Sequence, residues 1–235
     1  MNTLEQLTTS QKHIYYAELA KLCTENRTNL FAKVIEQRTK QMTIVIENIY
    51  QSHNASAVLR TADCVGLQDV YVIENDNKYE VNPDVALGSS KWIDLHRYNK
   101  EANNTKQCLD KLKADGYKIV ATLPSEKNVW LDDIDIHDKL AVVFGNELKG
   151  LSDIAIEEAD IYMKIPMYGF TESFNISVSA AITMYQLTDR LRKSDVKWQM
   201  TEDEKINTLI KWAKQTIKYP DKVEQEILAR IGITQ

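Results

Sequence analysis

The chain reads as an α/β protein, a mainly parallel sheet with helices on both faces, carrying helical extensions at its two ends. Three observations lead to that class. Short, unbroken runs of β-branched and apolar residues recur through the middle of the chain, as strands buried on both faces require. Segments with apolar residues at helical spacing separate these runs, and two of them stop at a glycine, Gly66 and Gly116. Alternation of this kind builds a parallel sheet, because parallel neighbours need a crossover between them.

Taken in order, residues 1–41 read as a helical N-terminal extension. Ser10 is placed to cap a helix bearing Ile14, Leu19, Leu22 and Cys23, and Thr28 a second bearing Leu30, Phe31, Val34 and Ile35. The α/β body spans residues 42–192. Thr43–Ile46 opens it as a strand, a helix from about Ala55 to Cys64 follows, and Val70–Ile73 is the next strand. Trp92–Leu95 makes a weaker strand, followed by a helix over Thr105–Ala114 and strands at Tyr117–Ala121 and Leu140–Phe144. A helix near Asp153–Glu158, a strand at Ile161–Ile165 and a long helix over Asn175–Arg192 complete the body. Residues 193–235 are helical again. Thr201-Glu202-Asp203-Glu204 has the form of a capping box, and Ile206, Leu209, Ile210, Ala213 and Ile217 repeat at helical spacing. Pro220 breaks that helix, and a last one carries Val223, Ile227, Leu228 and Ile231.

Composition excludes several classes. With 43% hydrophobic and 27% charged residues in 235, the chain is neither disordered nor fibrous. The longest uncharged run, Ser173–Thr188, is interrupted by Asn175, Ser177, Ser179 and Thr183, which argues against a membrane span. The first residues lack the basic and apolar blocks of a signal peptide, and Cys23, Cys64 and Cys108 are scattered as free thiols would be, so a cytoplasmic protein is expected. Neither a CxxC nor a histidine pair at ligand spacing occurs, so no metal is expected. The net charge of −5 hides an uneven distribution: residues 1–60 carry +2, residues 61–189 carry −10 and residues 190–235 carry +3. Basic ends around an acidic middle are either solvated helices or an electrostatic footprint for RNA.

Ligands of open parallel sheets bind beyond the carboxyl ends of the strands, so the loops there matter most. Of only seven glycines, Gly145, Gly150 and Gly169 fall in loops following the last two strands. The glycine fingerprints of dinucleotide-binding and P-loop proteins are missing. Three loops carry distinctive patterns: Asn54-Ala55-Ser56-Ala57-Val58-Leu59-Arg60-Thr61-Ala62; Gly145-Asn146-Glu147-Leu148-Lys149-Gly150; and Ile165-Pro166-Met167 with Ser173-Phe174-Asn175-Ile176-Ser177-Val178-Ser179-Ala180. In content, order and spacing these resemble the signature motifs of the SPOUT class of RNA methyltransferases, and within it the ribose 2′-O-methyltransferases. The branch most similar is the TrmH type, which methylates the D-loop guanosine at position 18 of tRNA and carries short helical additions at both ends.

The resemblance implies a C-terminal trefoil knot that binds S-adenosylmethionine, and a homodimer with active sites at its interface. It implies that Arg60 is the catalytic residue that prepares the ribose 2′-hydroxyl. A free guanidinium is a poor base, so binding the adjacent phosphate and orienting the hydroxyl is the physically easier role. Asn54 would position Arg60 or the ribose, and Glu147 would hold Asn54, Arg60 and the cofactor loop. Ser173 and Asn175 would also lie at the active site. From the residues alone, Asn54 and Arg60 are nearly two helical turns apart and can both face the strand-end cleft, Glu147 suits a helix start, and Ser173 and Asn175 suit helix caps. By motif position Thr122, Gly145, Ile165, Met167 and Phe174 would contact the donor. A sulfonium needs no metal, since its leaving group departs neutral. Candidate phosphate contacts for tRNA are Arg27, Lys33, Arg38, Lys40 and His53 near the first motif, and Arg190, Arg192 and Lys193 after the last. The alternatives are the same chemistry on another tRNA position or on ribosomal RNA, a non-catalytic RNA-binding protein, and a small-molecule α/β enzyme.

Overall fold

The computed structural model describes residues 6–79, 88–123 and 128–230. In chain order the elements begin with α1 (Thr9–Ala20), α2 (Glu25–Ile35), β1 (Met42–Glu47), α3 (Ser52–Val65), β2 (Asp69–Ile73) and β3 (Asp94–Tyr98). Next come α4 (Asn104–Ala114), β4 (Tyr117–Thr122), β5 (Val129–Trp130), β6 (Lys139–Phe144), α5 (Asp153–Glu157) and β7 (Ile161–Lys164). The last are α6 (Ile176–Lys193), α7 (Glu202–Thr216) and α8 (Pro220–Arg230). They form two units: Thr39–Trp198, and Met1–Arg38 together with Gln199–Gln235.

Among the described residues of the first unit, seven strands join one parallel sheet, ordered β3-β2-β1-β6-β4-β7-β5. The central strands are buried along their length, which is why they read as continuous apolar runs. One face packs Ala55, Val58, Leu59 and Ala62 of α3 and Ala180, Met184 and Leu187 of α6 against Ile44, Ile46 and Val142. The other packs Cys108, Leu109 and Leu112 of α4 and Ala155 of α5 against Val45, Ile119 and Val143. After β1 the chain moves to β2 on one side; after β6 it moves to β7 on the other. Neighbouring β1 and β6 therefore border a topological switch point, where the loops leaving the two strands diverge and open a crevice. Gly66 closes α3 in the left-handed conformation at φ 84°, which a side chain would strain.

Two strands differ from the sequence expectation. β3 begins at Asp94, two residues beyond Trp92, because its register with β2 sets Asp94 opposite Asp69. Its polar sequence is held by side-chain pairs across to β2, His96 to Asp69 and Arg97 to Glu74. β5 pairs over two residues with β7 and is too short to show a period.

In the second unit the two terminal segments fold together. Lys12, almost fully buried, donates to Asp203 at 2.8 Å, and Thr9 donates to the same carboxylate. Trp212 is buried, with Phe31 5.5 Å away between ring centroids. The caps are Thr8 and Thr24, not Ser10 and Thr28; Thr8 forms a reciprocal capping box with Gln11. Helix α1 buries Lys12, Tyr15 and Leu19, while Ile14 on the helix and Leu22 beyond its end are exposed. Thr201 and Glu204 make the expected capping box of α7. Pro220 opens α8, where its missing N–H is harmless. Ile231 lies outside the described residues.

Candidate active site

The loop leaving β1 and the loop leaving β6 meet in the crevice between those strands. Helix α3 starts there with Gln51 as its N-cap, and no side chain of its own caps it. Two backbone donors just ahead of its first turn are instead met from the other loop. Glu147 Oε2 accepts from Tyr50 N–H at 3.0 Å, and Oε1 accepts from Gln51 N–H at 3.3 Å. A carboxylate at a helix N-terminus is also favoured by the helix dipole.

Asn54, 4% exposed, extends the chain. Its Nδ2 donates to Glu147 Oε1 at 2.8 Å and to Gln51 Oε1 at 3.3 Å. Its Oδ1 accepts from Asn175 Nδ2 at 3.2 Å. Asn175 in turn caps α6, taking Ser177 N–H at 2.9 Å and Ser177 Oγ–H at 2.6 Å on its Oδ1. Glu147, Asn54 and Asn175 thus form one hydrogen-bonded series joining the three motif loops. Burial raises the Glu147 carboxyl pKa, but the donors from Asn54, Tyr50 and Gln51 outweigh it and leave it below the ordinary value.

Glycine has a steric reason at position 145. A Cβ there would lie 2.3 Å from the backbone carbonyl of Gly150, because Asn146 and Gly150 exchange hydrogen bonds at 2.8 and 2.9 Å and fold the loop on itself. Gly150 itself sits at φ 72°.

The sequence profile of the SpoU rRNA Methylase family matches residues 41–185, more than half of the chain. The chain belongs to the SpoU methylase family. It is 47% identical over 209 residues to the tRNA (guanosine(18)-2′-O)-methyltransferase of Borreliella burgdorferi, covering 89% of this chain and 94% of that one. The enzyme of the same name from Aquifex aeolicus is 32% identical over 199 residues, covering 83% and 92%. A solved structure, the A. aeolicus TrmH/SpoU tRNA modifying enzyme, superposes with a TM-score of 0.73 at 33% identity, over 83% of this chain and 98% of that one. A SpoU methyltransferase from Streptomyces viridochromogenes, crystallised with AdoMet, shares the fold at TM-score 0.58 and 20% identity, over 69% and 65% of the two chains.

Arg60 is exposed on α3 and does not join the Asn54 series. Six residues of helix rotate a side chain by about 240°, so within one chain Asn54 and Arg60 face apart. Ser173 is exposed in the loop before α6. Thr122 ends β4, opposite Met163 of β7, and its Oγ1–H donates to Val143 O at 2.8 Å. Ile165 is half-buried, while Met167 and Phe174 are exposed.

Several basic residues serve the fold rather than the surface. Arg38 is 2% exposed, with its guanidinium over the Trp212 ring, and is withdrawn from phosphate contact. Arg190 donates to the carbonyls of Leu131 and Ile134. Arg192 donates to Val65 O at 2.6 Å and covers the Trp198 ring at 5.3 Å. Lys40 pairs with buried Asp69 at 3.2 Å. Arg27 lies near Phe31, Lys193 pairs with Asp189, and both keep surface exposure. Lys33 and His53 are exposed.

Sequence reasoning missed Asn48 and Asn146. Asn48 adopts φ 53°, and its carbonyl accepts from Asn146 Nδ2 at 2.7 Å and from Asn77 Nδ2 at 2.9 Å. An Asn directly after a buried strand is the available signal, since Asn tolerates positive φ. Among the described residues no group of three or more His, Cys, Asp or Glu is arranged to hold a metal, and no helix is long and apolar enough to cross a membrane.

Proposed function

We propose that this chain transfers the methyl group of S-adenosylmethionine to the 2′-hydroxyl of a tRNA ribose, with the D-loop guanosine at position 18 as its substrate. The carrying observation is the Glu147–Asn54–Asn175 series at the switch point, three motif loops converging through side-chain hydrogen bonds. The substrate assignment draws on the two relatives that share most of this chain's length and bear that activity in their names.

The loops suit the donor. Met167 and Phe174 present apolar side chains to solvent, 39% and 42% exposed, where an adenine or a thioether chain would find cover. Gly145 lets backbone approach where a Cβ would collide. Thr122, Gly145, Ile165, Met167 and Phe174 are the residues assigned to hold it, in the knotted loop that the resemblance implies. When bound, the donor supplies an electrophilic methyl group on sulfur.

The chain's own residues supply placement. Glu147 fixes the amide plane of Asn54, and Asn54 and Asn175 present polar groups that can hold a ribose hydroxyl in line with the incoming methyl. Arg60 binds the phosphate beside that ribose and orients the hydroxyl, whose proton passes to a phosphate oxygen or another group, water included, as the methyl arrives. Within one chain Arg60 points away from Asn54, which supports an active site completed by a second copy. The apolar stripe Phe174, Val178 and Tyr185, 42%, 44% and 68% exposed, is the face that a homodimer would cover. Lys33, His53 and Lys193 remain exposed for tRNA phosphates.

The test is incubation with labelled donor and unmodified tRNA, followed by nucleoside mapping. Label in 2′-O-methylguanosine at position 18 is expected. Label at another tRNA position or only in ribosomal RNA would move the substrate, and no transfer would end the reading.

A further inference from the structure

Glu47, the last residue of β1, is 1% exposed, yet its partners are all neutral. Ser152 N–H donates to its Oε2 at 2.9 Å, Ser152 Oγ–H to its Oε1 at 2.7 Å, and Thr105 Oγ1–H to the same Oε1 at 2.5 Å. Thr105 is itself oriented by Asn75 Nδ2, which donates to it at 2.8 Å. Burying a carboxylate is costly, and these charge-assisted bonds offset the cost only while all of their geometry is kept.

Ser152 is the N-cap of α5 and the exit of the loop that carries Glu147. Asn146, at the entry of that loop, is anchored on the carbonyl of Asn48, the neighbour of Glu47. Two adjacent residues at the end of β1 therefore grip both ends of the loop, and Glu147 between them reaches Tyr50, Gln51 and Asn54. Of these two grips, the one at the exit is made by a side chain buried in the sheet layer. Moving Ser152 moves Glu147, and moving Glu147 moves Asn54.

We infer that Glu47 is a positioning residue for methyl transfer, acting through Ser152 and the Glu147 loop on Asn54. The inference rests on the proposed function, and its test separates the two. Steady-state kinetics with S-adenosylmethionine and unmodified tRNA are measured for the wild type, Glu47→Ala, Glu47→Gln, Ser152→Ala, Glu147→Ala and the double variant Glu47→Ala/Glu147→Ala, each with a thermal melt.

Glu47→Ala is expected to lower kcat by about 10- to 100-fold while KM for tRNA stays within about twofold, as for lost alignment rather than lost binding. Glu47→Gln should recover most of that loss, since its amide oxygen still accepts and the two hydroxyls can turn to accept from its NH2. The double variant should be no slower than Glu147→Ala, because both act along one path. If Glu47→Ala does not fold, Ser152→Ala in the same cycle with Glu147→Ala gives the same readout. A double variant slowed by the product of the single effects, or Glu47→Ala with wild-type kcat and only a lower melting point, overturns the inference and leaves the function standing. A wild type that transfers no methyl group overturns both.

Discussion

Replacing Glu147 by alanine tests the proposed site most directly. The substitution removes the acceptor of three hydrogen bonds, at 2.8, 3.0 and 3.3 Å, from Asn54, Tyr50 and Gln51. Asn54 keeps the longer bond to Gln51 Oε1, and the two backbone donors face a half-open loop that water can enter. Each bond is worth about 0.5–1.5 kcal/mol net, and water replaces part of that here, so the expected loss is about 2 kcal/mol. For a chain of this length that lowers the melting point by about 4–8 °C. The activity loss should be larger than stability alone explains. Asn54 without its shorter anchor is free to rotate, and misplacement by about 1 Å costs on the order of 100-fold in rate.

Acid sensitivity supplies an independent readout of the same carboxylate. Its folded pKa lies below the ordinary 4.5, so the stabilisation is complete above that value and is lost as pH falls through the lowered one. The stability gap between wild type and Glu147→Ala should be constant from neutral pH down to mildly acid solution and close only below that. Calorimetric melts across pH, with single-turnover methylation at neutral pH, check both. A variant that keeps wild-type kcat, or a gap that opens rather than closes in acid, would refute the reasoning.

Three further outcomes are expected. Gly145→Ala sets a Cβ 2.3 Å from the Gly150 carbonyl, so it should destabilise the loop by about 1–3 kcal/mol and abolish donor binding in calorimetry; unchanged binding would remove the loop from the donor site. Arg60→Ala, at an exposed position, should leave the unfolding free energy within about 0.5 kcal/mol of wild type while abolishing methylation, and a normal transfer rate would take Arg60 out of the mechanism. Arg192→Ala loses its bond to Val65 O and its cover of Trp198, so it should lower stability and leave the salt dependence of tRNA binding unchanged, whereas Lys193→Ala should lower the salt slope by about one; the reverse pattern would exchange their roles.

Much of the sheet was legible because burial on both faces leaves a direct mark. Thr43–Ile46 and Leu140–Phe144 contain no charged residue, since either face would bury it. Gly66 and Gly116 marked helix ends because both adopt φ 84°. Legibility failed where a long-range partner decides the outcome. The β3 strand is polar and holds its place through Asp69 and Glu74, which lie elsewhere in the chain. Ile14 looked like part of an apolar face, but the face that α1 buries is Lys12, Tyr15 and Leu19, with Lys12 paired to Asp203 from the far end of the chain.

Basic side chains show the same limit more sharply. Arg38, Arg190 and Arg192 look alike in sequence to Lys33 and Lys193, yet the first three are spent on an indole, four backbone carbonyls and a second indole. A charge count therefore bounds an RNA footprint from above and says little about which residues make it.

The candidate site sits between these cases. Its polar residues follow their strands in the sequence, but their meeting depends on β1 and β6 being neighbours, although about ninety residues separate them. No local propensity encodes that adjacency; it follows from inserting β6 between β1 and β4. Once the two strands are side by side, the uncapped start of α3 and the carboxylate of Glu147 satisfy one another, and the same bonds fix Asn54. An arrangement that completes a helix terminus and orients a functional amide with one carboxylate couples local folding to chemistry, so a loss of either should be felt in both.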